Sequence, residues 1–404
     1  MRDTHLFQLA LGLTPPWLVK AANFDAAQKR LDIEIDFKTG GRFACPECAA
    51  ADCPVHDTVR KEWRHLDFFQ HQAFLNARTP RITCSKCGVR LVHVPWARPG
   101  SGFTLLFEAL AMMLMTAMPV LAAGRLMDEH DTRLWRVLHH WVEEARARAD
   151  YADVSRVAID ETAARRGHDY VSLFVDIDER RVLFVADGKD ADTVAAFADD
   201  LEAHNSDASH VKEVCIDMSK AFIAGVTENL TEAEITFDKF HVMKLIGDAV
   251  DQVRRAESRE RPELKRTRYL WLKNERNLTA EQAARLGSLS KTNLKTARAH
   301  HLRLTFQDIY KERSRPWAEH CLDKWHSWAR RCRLAPMKAV AATMQRHRDG
   351  ILAWFDSHIA NGLIEGINSL VQAAKAKARG YRSLRNLKAV TYLIAGKLDL
   401  RLPT

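Results

Sequence analysis

The chain has 404 residues, 47% of them hydrophobic, which is enough for a large buried core and for two to four domains in place of one. Its 61 Lys and Arg against 52 Asp and Glu leave a net charge of +9 and point to a polyanionic partner. No basic start with an apolar stretch and cleavage site is visible in the first residues, and the most apolar run, residues 109–123, is too short for a bilayer and contains Pro119; a cytoplasmic protein without a membrane span is therefore expected.

The amino-terminal region reads as a small β-rich unit. Residues 31–37 alternate apolar and acidic side chains with period two, and a second strand-like run, 81–84, leads into a cysteine pair. From Phe103 the texture turns helical, with segments at 103–118, 119–129 and 132–149. After Asp150 come strands at 156–160, 170–177 and 182–186, the last two joined tightly through Asp178, Glu179 and Arg180. A helix at 192–204, a strand at 211–217, a helix at 219–228 and a strand at 234–240 complete the order β-β-β-α-β-α-β of an α/β sheet. From Val242 to about Trp354 no strand pattern survives, which suggests an all-helical insertion, and a helix is expected over 357–379.

Four cysteines form two Cys-x-x-Cys pairs, Cys45/Cys48 and Cys84/Cys87. In a reducing compartment such pairs suggest metal, and four thiolates close a tetrahedral zinc site. A rival local set would use Cys53 and His56 with the first pair.

The helices over 119–148 fit a helix-turn-helix. Pro119 suits a first turn, Ala123 and Gly124 allow a close crossing, and Asp131 or Thr132 can cap the last helix. That helix would bury Leu134, Trp135, Leu138 and Val142 and turn Arg133, Arg136, His140 and Arg146 outward toward DNA. An ordinary helical hairpin with a basic face would share this pattern.

Between Tyr151 and Met218, 16 acidic side chains face 7 basic ones, an acidic block in a basic protein. Within it Asp160 and Asp217 each end an apolar strand, where an acid is costly unless paired or bound to a cation. Glu365 opens a polar stripe, Glu365, Asn368, Gln372, Lys375 and Arg379, that runs beside the apolar stripe Ile364, Ile367, Val371, Ala374 and Ala378 and stops at Gly380. One such face can hold a metal at one end and phosphate at the other, through Lys375 and Arg379. Asp160, Asp217 and Glu365 are thus the candidate catalytic trio and ligands for two Mg2+, a pair of ions about 4 Å apart being suited to in-line phosphoryl transfer; Mn2+ is expected to substitute. Around the trio stand Glu161, Asn368, Asp238 and His241, the last two readable equally as site residues or as the cap of the next helix. Asp176 and Asp178 read as turn or surface residues. Arg254, Arg255, Lys265, Arg266 and Arg268 are expected to track a DNA backbone, with Trp325 and Trp328 in the core.

In order along nearly the whole chain, Cys45-Pro-Glu-Cys48, Trp63-Arg-His-Leu66, Ala158-Ile-Asp-Glu161, Cys215-Ile-Asp-Met-Ser219, Phe237-Asp-Lys-Phe-His-Val242 and Gly362-Leu-Ile-Glu-Gly-Ile-Asn368 through Arg379-Gly-Tyr381 resemble bacterial insertion-sequence transposases of the ISL-three type. The resemblance implies a multi-domain α+β protein. Its parts would be a zinc-binding domain over 1–98, a helix-turn-helix over 99–150, an RNase H-like catalytic core over 151–245 and 351–404, and a helical insertion over 246–350. It also implies that the first two domains grip terminal inverted repeats of double-stranded DNA, that Asp160, Asp217 and Glu365 take the catalytic positions, and that the protein is a homodimer on DNA, associated with the nucleoid. Two departures stand out: Cys53 adds a possible ligand, and Ser-Leu-Val-Gln-Ala-Ala-Lys follows Asn368 where basic residues are usual. The reading is a DNA transposase that cleaves and transfers strands. The rivals are a transposase-derived DNA-binding regulator without catalysis and an RNase H-like nuclease.

Overall fold

The computed structural model describes residues 3–165, 169–359 and 362–403. The chain divides into two compact units, Met1–Trp141 with Leu400–Thr404, and Val142–Asp399.

The first unit opens with helix α1 (Asp3–Ala10) and six strands: β1 (Trp17–Asp25), β2 (Arg30–Phe37), β3 (Arg42–Phe43), β4 (Cys53–Phe68), β5 (His71–Cys84) and β6 (Gly88–Leu91). They form one sheet in the order β1-β2-β5-β4-β3, with β6 on β5. The period-two pattern of β2 buries Leu31, Ile33 and Ile35 and leaves Asp32 for Arg30 at 2.7 Å. The sheet is larger than the expected small unit. Its longest strand, β4, buries little besides Trp63 and Arg64 at its centre, so it carries no apolar alternation to betray it.

Three helices follow: α2 (Leu105–Ala117), α3 (Val120–Met127) and α4 (Asp131–Ala147). Thr104 caps α2 by accepting from the Phe107 N–H. Glu108 on α2 is fully buried, and Arg98, Ser101 and the Trp141 indole donate to its carboxylate at 2.9, 2.5 and 2.9 Å, which ties α2 to α4. Gly124 permits the tight turn into α4, since a Cβ there would lie 2.7 Å from the Glu129 carbonyl oxygen.

The second unit holds β7 (Arg156–Ala163), β8 (Tyr170–Asp176), β9 (Arg181–Asp187), α5 (Asp192–Glu202), β10 (Glu213–Ile216), α6 (Lys220–Asn229) and β11 (Glu234–Phe237). The sheet order is β11-β10-β7-β8-β9. β10 runs parallel to β7 and β11, whereas β7, β8 and β9 form an antiparallel meander. Asp176 is buried, not on the surface. It accepts from the Asp178 and Glu179 N–H groups and closes the β8–β9 turn.

Helices then fill the chain: α7 (Lys239–Glu257), α8 (Arg268–Leu272), α9 (Ala280–Ser290), α10 (Lys295–Ile309), α11 (Arg315–Arg331), α12 (Ala335–Arg346), α13 (Arg348–Leu352), α14 (Trp354–Ser357), α15 (Gly362–Lys377) and α16 (Leu384–Ala395). Trp271 and Trp325 are core residues, but Trp328 is 39% exposed and was misplaced by pattern alone. Arg254 is also buried. It donates to Asp251 at 2.8 Å, so it braces α7 and is unavailable to track DNA. The expected helix over 357–379 is interrupted, because α14 stops at Ser357 and His358 takes a left-handed conformation (φ 48°); positions 360 and 361 of that span lie outside the described residues. No helix among the described residues is long and apolar enough to cross a membrane.

Gly350 lets α13 lie against β11, since a Cβ there would stand 2.5 Å from two carbons of the Phe237 ring. Gly350→Ala should therefore destabilise the second unit by about 1–3 kcal/mol in urea unfolding.

Candidate functional site

The structure gathers Cys45, Cys48, Cys84 and Cys87 so that all four sulfurs lie within 4.8 Å of one another. The Cys48 and Cys84 sulfurs are 3.6 Å apart. The Cys87 and Lys86 N–H groups point at the Cys84 sulfur and pull its thiol down to about 6. Such thiolate stabilisation suits a zinc ligand. The rival set is not assembled: Cys53 faces the Ala50 carbonyl at 3.5 Å, and His56 is half exposed beside Asp57 at 3.3 Å.

On α4 the buried stripe is Leu134, Val137, Leu138 and Val142. Trp135, expected inside, is half-buried. Arg133 does not project freely, for it bonds Glu129 at 2.6 Å and lies 4.1 Å over the Phe103 ring. Arg146, expected outward, is held by both Asp200 oxygens at 2.8 Å and covers Tyr392 at 4.2 Å. Arg136 is exposed, and His140 is half-buried, edge-on to Trp141.

The acidic site follows from strand register. β7 and β10 pair Val157 with Val214 and Ala158 with Cys215, so two residues on Asp160 and Asp217 stand abreast. β10 and β11 pair Ile216 with Phe237, which puts Asp238 next to Asp217. Three carboxylates thus line up where the parallel strands separate. Asp160 does not end its strand, because β7 continues to Ala163 along β8; what ends there is its pairing with β10.

Each acid holds local hydrogen bonds. The Glu161 N–H donates to Asp160 at 2.8 Å and the Ser219 N–H to Asp217 at 2.8 Å. Asp238 caps α7, accepting from the Phe240 and His241 N–H groups at 3.0 and 3.3 Å, and binds the His241 ring at 2.7 Å. It is at once a cap and a member of the acidic row. Burial first, and then the charges of Asp217 and Asp238, push the Asp160 carboxyl up to about 6. The bond to Asp238, with its charge and those of Asp160 and Asp217, raises the His241 pKa.

Helix α15 docks its polar stripe on β7. Asn368 donates to Asp160 Oδ2 at 2.6 Å, Gln372 to Thr162 Oγ1 at 2.7 Å, and Lys375 Nζ to the Ala163 carbonyl at 2.5 Å. Lys375, expected to meet phosphate, is therefore engaged within the fold, whereas Arg379 is exposed. Glu365 lies one turn ahead of Asn368, is exposed, and lines a cavity of about 830 Å3 together with Asp238. Glu161 pairs with Lys189 at 3.6 Å. Among the described residues only the four cysteines form a set of metal-binding groups within 4.8 Å of one another. Asp160, Asp217 and Glu365 do not close into one.

A sheet with an acidic row, a four-cysteine cluster and a helix-turn-helix define a DNA-processing protein, and comparison with known proteins gives its kind. Residues 157–391 match the family model for transposases of the ISL3 type, residues 92–142 match the helix-turn-helix domain of transposase family ISL3, and residues 41–87 match the zinc-finger of transposase IS204/IS1001/IS1096/IS1165. The chain belongs to the ISL3 family and is a DNA transposase with a zinc ribbon and a DNA-binding helix-turn-helix. It is 29% identical to the transposase for insertion sequence element IS1557 of Mycobacterium tuberculosis, over 97% of this chain and 96% of that protein. It is 28% identical to the transposase for IS1001 of Bordetella parapertussis, over 84% and 85%.

Cys84→Ser should reduce bound zinc and unfold the ribbon, whereas Cys53→Ser should leave zinc content intact, as elemental analysis will show. Asp160 carries a second prediction. A carboxyl whose folded pKa is raised contributes stability that is present below its unfolded value near 4 and lost as pH rises through about 6. Without divalent ions, Asp160→Asn should therefore be more stable than wild type by about 3 kcal/mol at pH 8, with the gap closing below pH 4.

Proposed function

We propose that this transposase binds terminal inverted repeats through its helix-turn-helix and ribbon, hydrolyses DNA at the 3′ ends of an insertion sequence, and joins those ends to target DNA. Asp160, Asp217 and Glu365 are the catalytic carboxylates. The observation that carries this reading is the register that sets Asp160 and Asp217 abreast, with the Asp160 carboxyl raised to about 6 by burial and neighbouring charge. We read the order β11-β10-β7-β8-β9 as an RNase H-like core, residues 246–350 as an insertion in it, and the domain limits as 1–98, 99–150, 151–245, 246–350 and 351–404.

The residues fit divalent ions. The donors are carboxylate oxygens with no cysteine or histidine cluster among them, which favours Mg2+, or Mn2+ in its place, over zinc. The side-chain oxygen of Asn368 is buried without a hydrogen-bond partner, beside Asp160, so the pocket has unused oxygen capacity where an ion would sit. Two bound ions would polarise the attacking water or 3′-hydroxyl and stabilise the leaving oxygen. The chain's own residues do the rest. Asp160 and Asp217 hold fixed positions where β7 and β10 part, and Asn368 keeps α15 against β7 so that Glu365 reaches the same space. His241 balances the charge of Asp238 and leaves it as the cap of α7. The protein acts as a dimer, because two element ends are joined, and works in the cytoplasm at the nucleoid.

Glu365→Gln should abolish Mg2+-dependent nicking and joining of labelled terminal repeats while repeat binding persists; retained cleavage refutes the trio. Binding without nicking by the wild type would make the protein a regulator, and nicking without joining a nuclease. Mg2+ should also raise the melting temperature of wild type and leave that of Asp160→Asn unmoved.

A further inference from the structure

Arg303, on α10, is only 6% exposed. Its Nη2 donates to the Leu272 carbonyl at 2.9 Å, but Nη1 has no hydrogen-bond partner. Burial is the one influence on its pKa and lowers it, with no carboxylate offsetting that cost. One turn on, the side-chain oxygen of Gln307 is likewise buried and unpartnered. A buried guanidinium left without an anion is strongly unfavourable. The protein alone does not complete this site.

Both side chains line the 830 Å3 cavity that also contains Asp238 and Glu365. Five cations, Lys239, Lys244, Arg268, Lys273 and Arg303, face it against three carboxylates. Lys239 is held 4.8 and 4.9 Å over the Tyr310 and Trp354 rings, so the cationic wall is partly preformed. The cavity thus carries more positive than negative charge and shares Asp238 with the acidic row.

We propose that this cavity binds a backbone phosphate of the DNA strand that enters the acidic site, with Arg303 Nη1 donating to a non-bridging phosphate oxygen. A guanidinium suits that ligand, since its planar N–H groups match phosphate oxygens and its charge persists when buried. The phosphate supplies the anion that the fold withholds. Placed so, Arg303 is a positioning residue that fixes the strand beside Asp238 and Glu365. The proposal rests on the strand-transfer reading for the identity of the strand, and its test needs binding only.

The test uses full-length, zinc-loaded wild type and Arg303→Met with terminal-repeat duplexes in which single linkages are made neutral as methylphosphonates. Wild type should lose about tenfold in affinity at one linkage near the element end. Arg303→Met should bind the unmodified duplex about tenfold more weakly and lose nothing further at that linkage. Without DNA it should melt several degrees above wild type, because an unpaired buried charge has gone, whereas a merely structural arginine would lower the melting temperature and leave the phosphonate profile unchanged. The same linkage-specific loss in both proteins, or no sensitive linkage in wild type, overturns the proposal. So does stabilisation of wild type by millimolar inorganic phosphate with no sensitive linkage, which would make this a free-phosphate site. Should the methionine protein fail to fold, Arg303→Lys takes its place in the same cycle. Loss of cleavage in every protein would sink the strand-transfer reading and leave the phosphonate result standing.

Discussion

The parallel register of β7, β10 and β11 is the constraint on which the second unit turns. Once Ala158 pairs with Cys215 and Ile216 with Phe237, the next acids on three strands must lie side by side. Packing fixes that register, because both faces are enclosed and a one-residue slip would exchange the branched Val157, Ile159, Val214 and Ile216 with the smaller Ala158 and Cys215 buried on the other face. The repulsion among the carboxylates is therefore imposed by the core and cannot relax by sliding. Burial first, and then this repulsion, raise the Asp160 carboxyl to about 6.

What makes the row tolerable is a set of donors from the local chain. Backbone N–H groups of Glu161, Ser219, Phe240 and His241 each reach a carboxylate, and the Asn368 amide reaches Asp160. These bonds stabilise charge without neutralising it, apart from the His241 contact to Asp238. Helix α15 has a double part here. Asn368, Gln372 and Lys375 rivet it to β7, and that same docking carries Glu365 to the cavity edge. The helix thus spends its central polar residues on attachment and leaves its first turn free.

Much of this was legible in the sequence, for reasons that differ by element. The strands from Arg156 to Phe237 are apolar runs bounded by turns, and the two Cys-x-x-Cys pairs have few other uses, so both were readable. The rhythm of α15 was also readable. Its partners were not, since the pattern puts Lys375 on the face of Glu365 without saying that a strand carbonyl receives it. Strand β4 was hidden by charges on both faces, and Trp328 by the rule that tryptophans fill cores. An arginine on a helix looks solvated until folding surrounds it: for Arg146 folding brings in Asp200, whereas for Arg254 the partner Asp251 stands three residues earlier on the same helix and only the burial of the pair was hidden. Asp238 was ambiguous because it has both roles, and only register could set it beside Asp217.

Two unfavourable features of opposite sign meet at Asp238. On one side it stands in the row with Asp160 and Asp217, where carboxylates are crowded; on the other it lines the cavity in whose wall the Arg303 guanidinium is buried without a counterion. They do not cancel, because no ion pair joins Arg303 to Asp238 or Glu365, and each keeps its own desolvation cost. Neither can be relieved from within the chain without moving a strand or α10. A single added component relieves both. DNA entering with divalent ions brings cations to the acidic row and a phosphate to Arg303, so the unbound protein stores in its electrostatics a preference for the loaded state. Removing either defect alone should stabilise the free protein and weaken the complex, which is the behaviour expected of a site shaped for its ligand at the expense of its own fold.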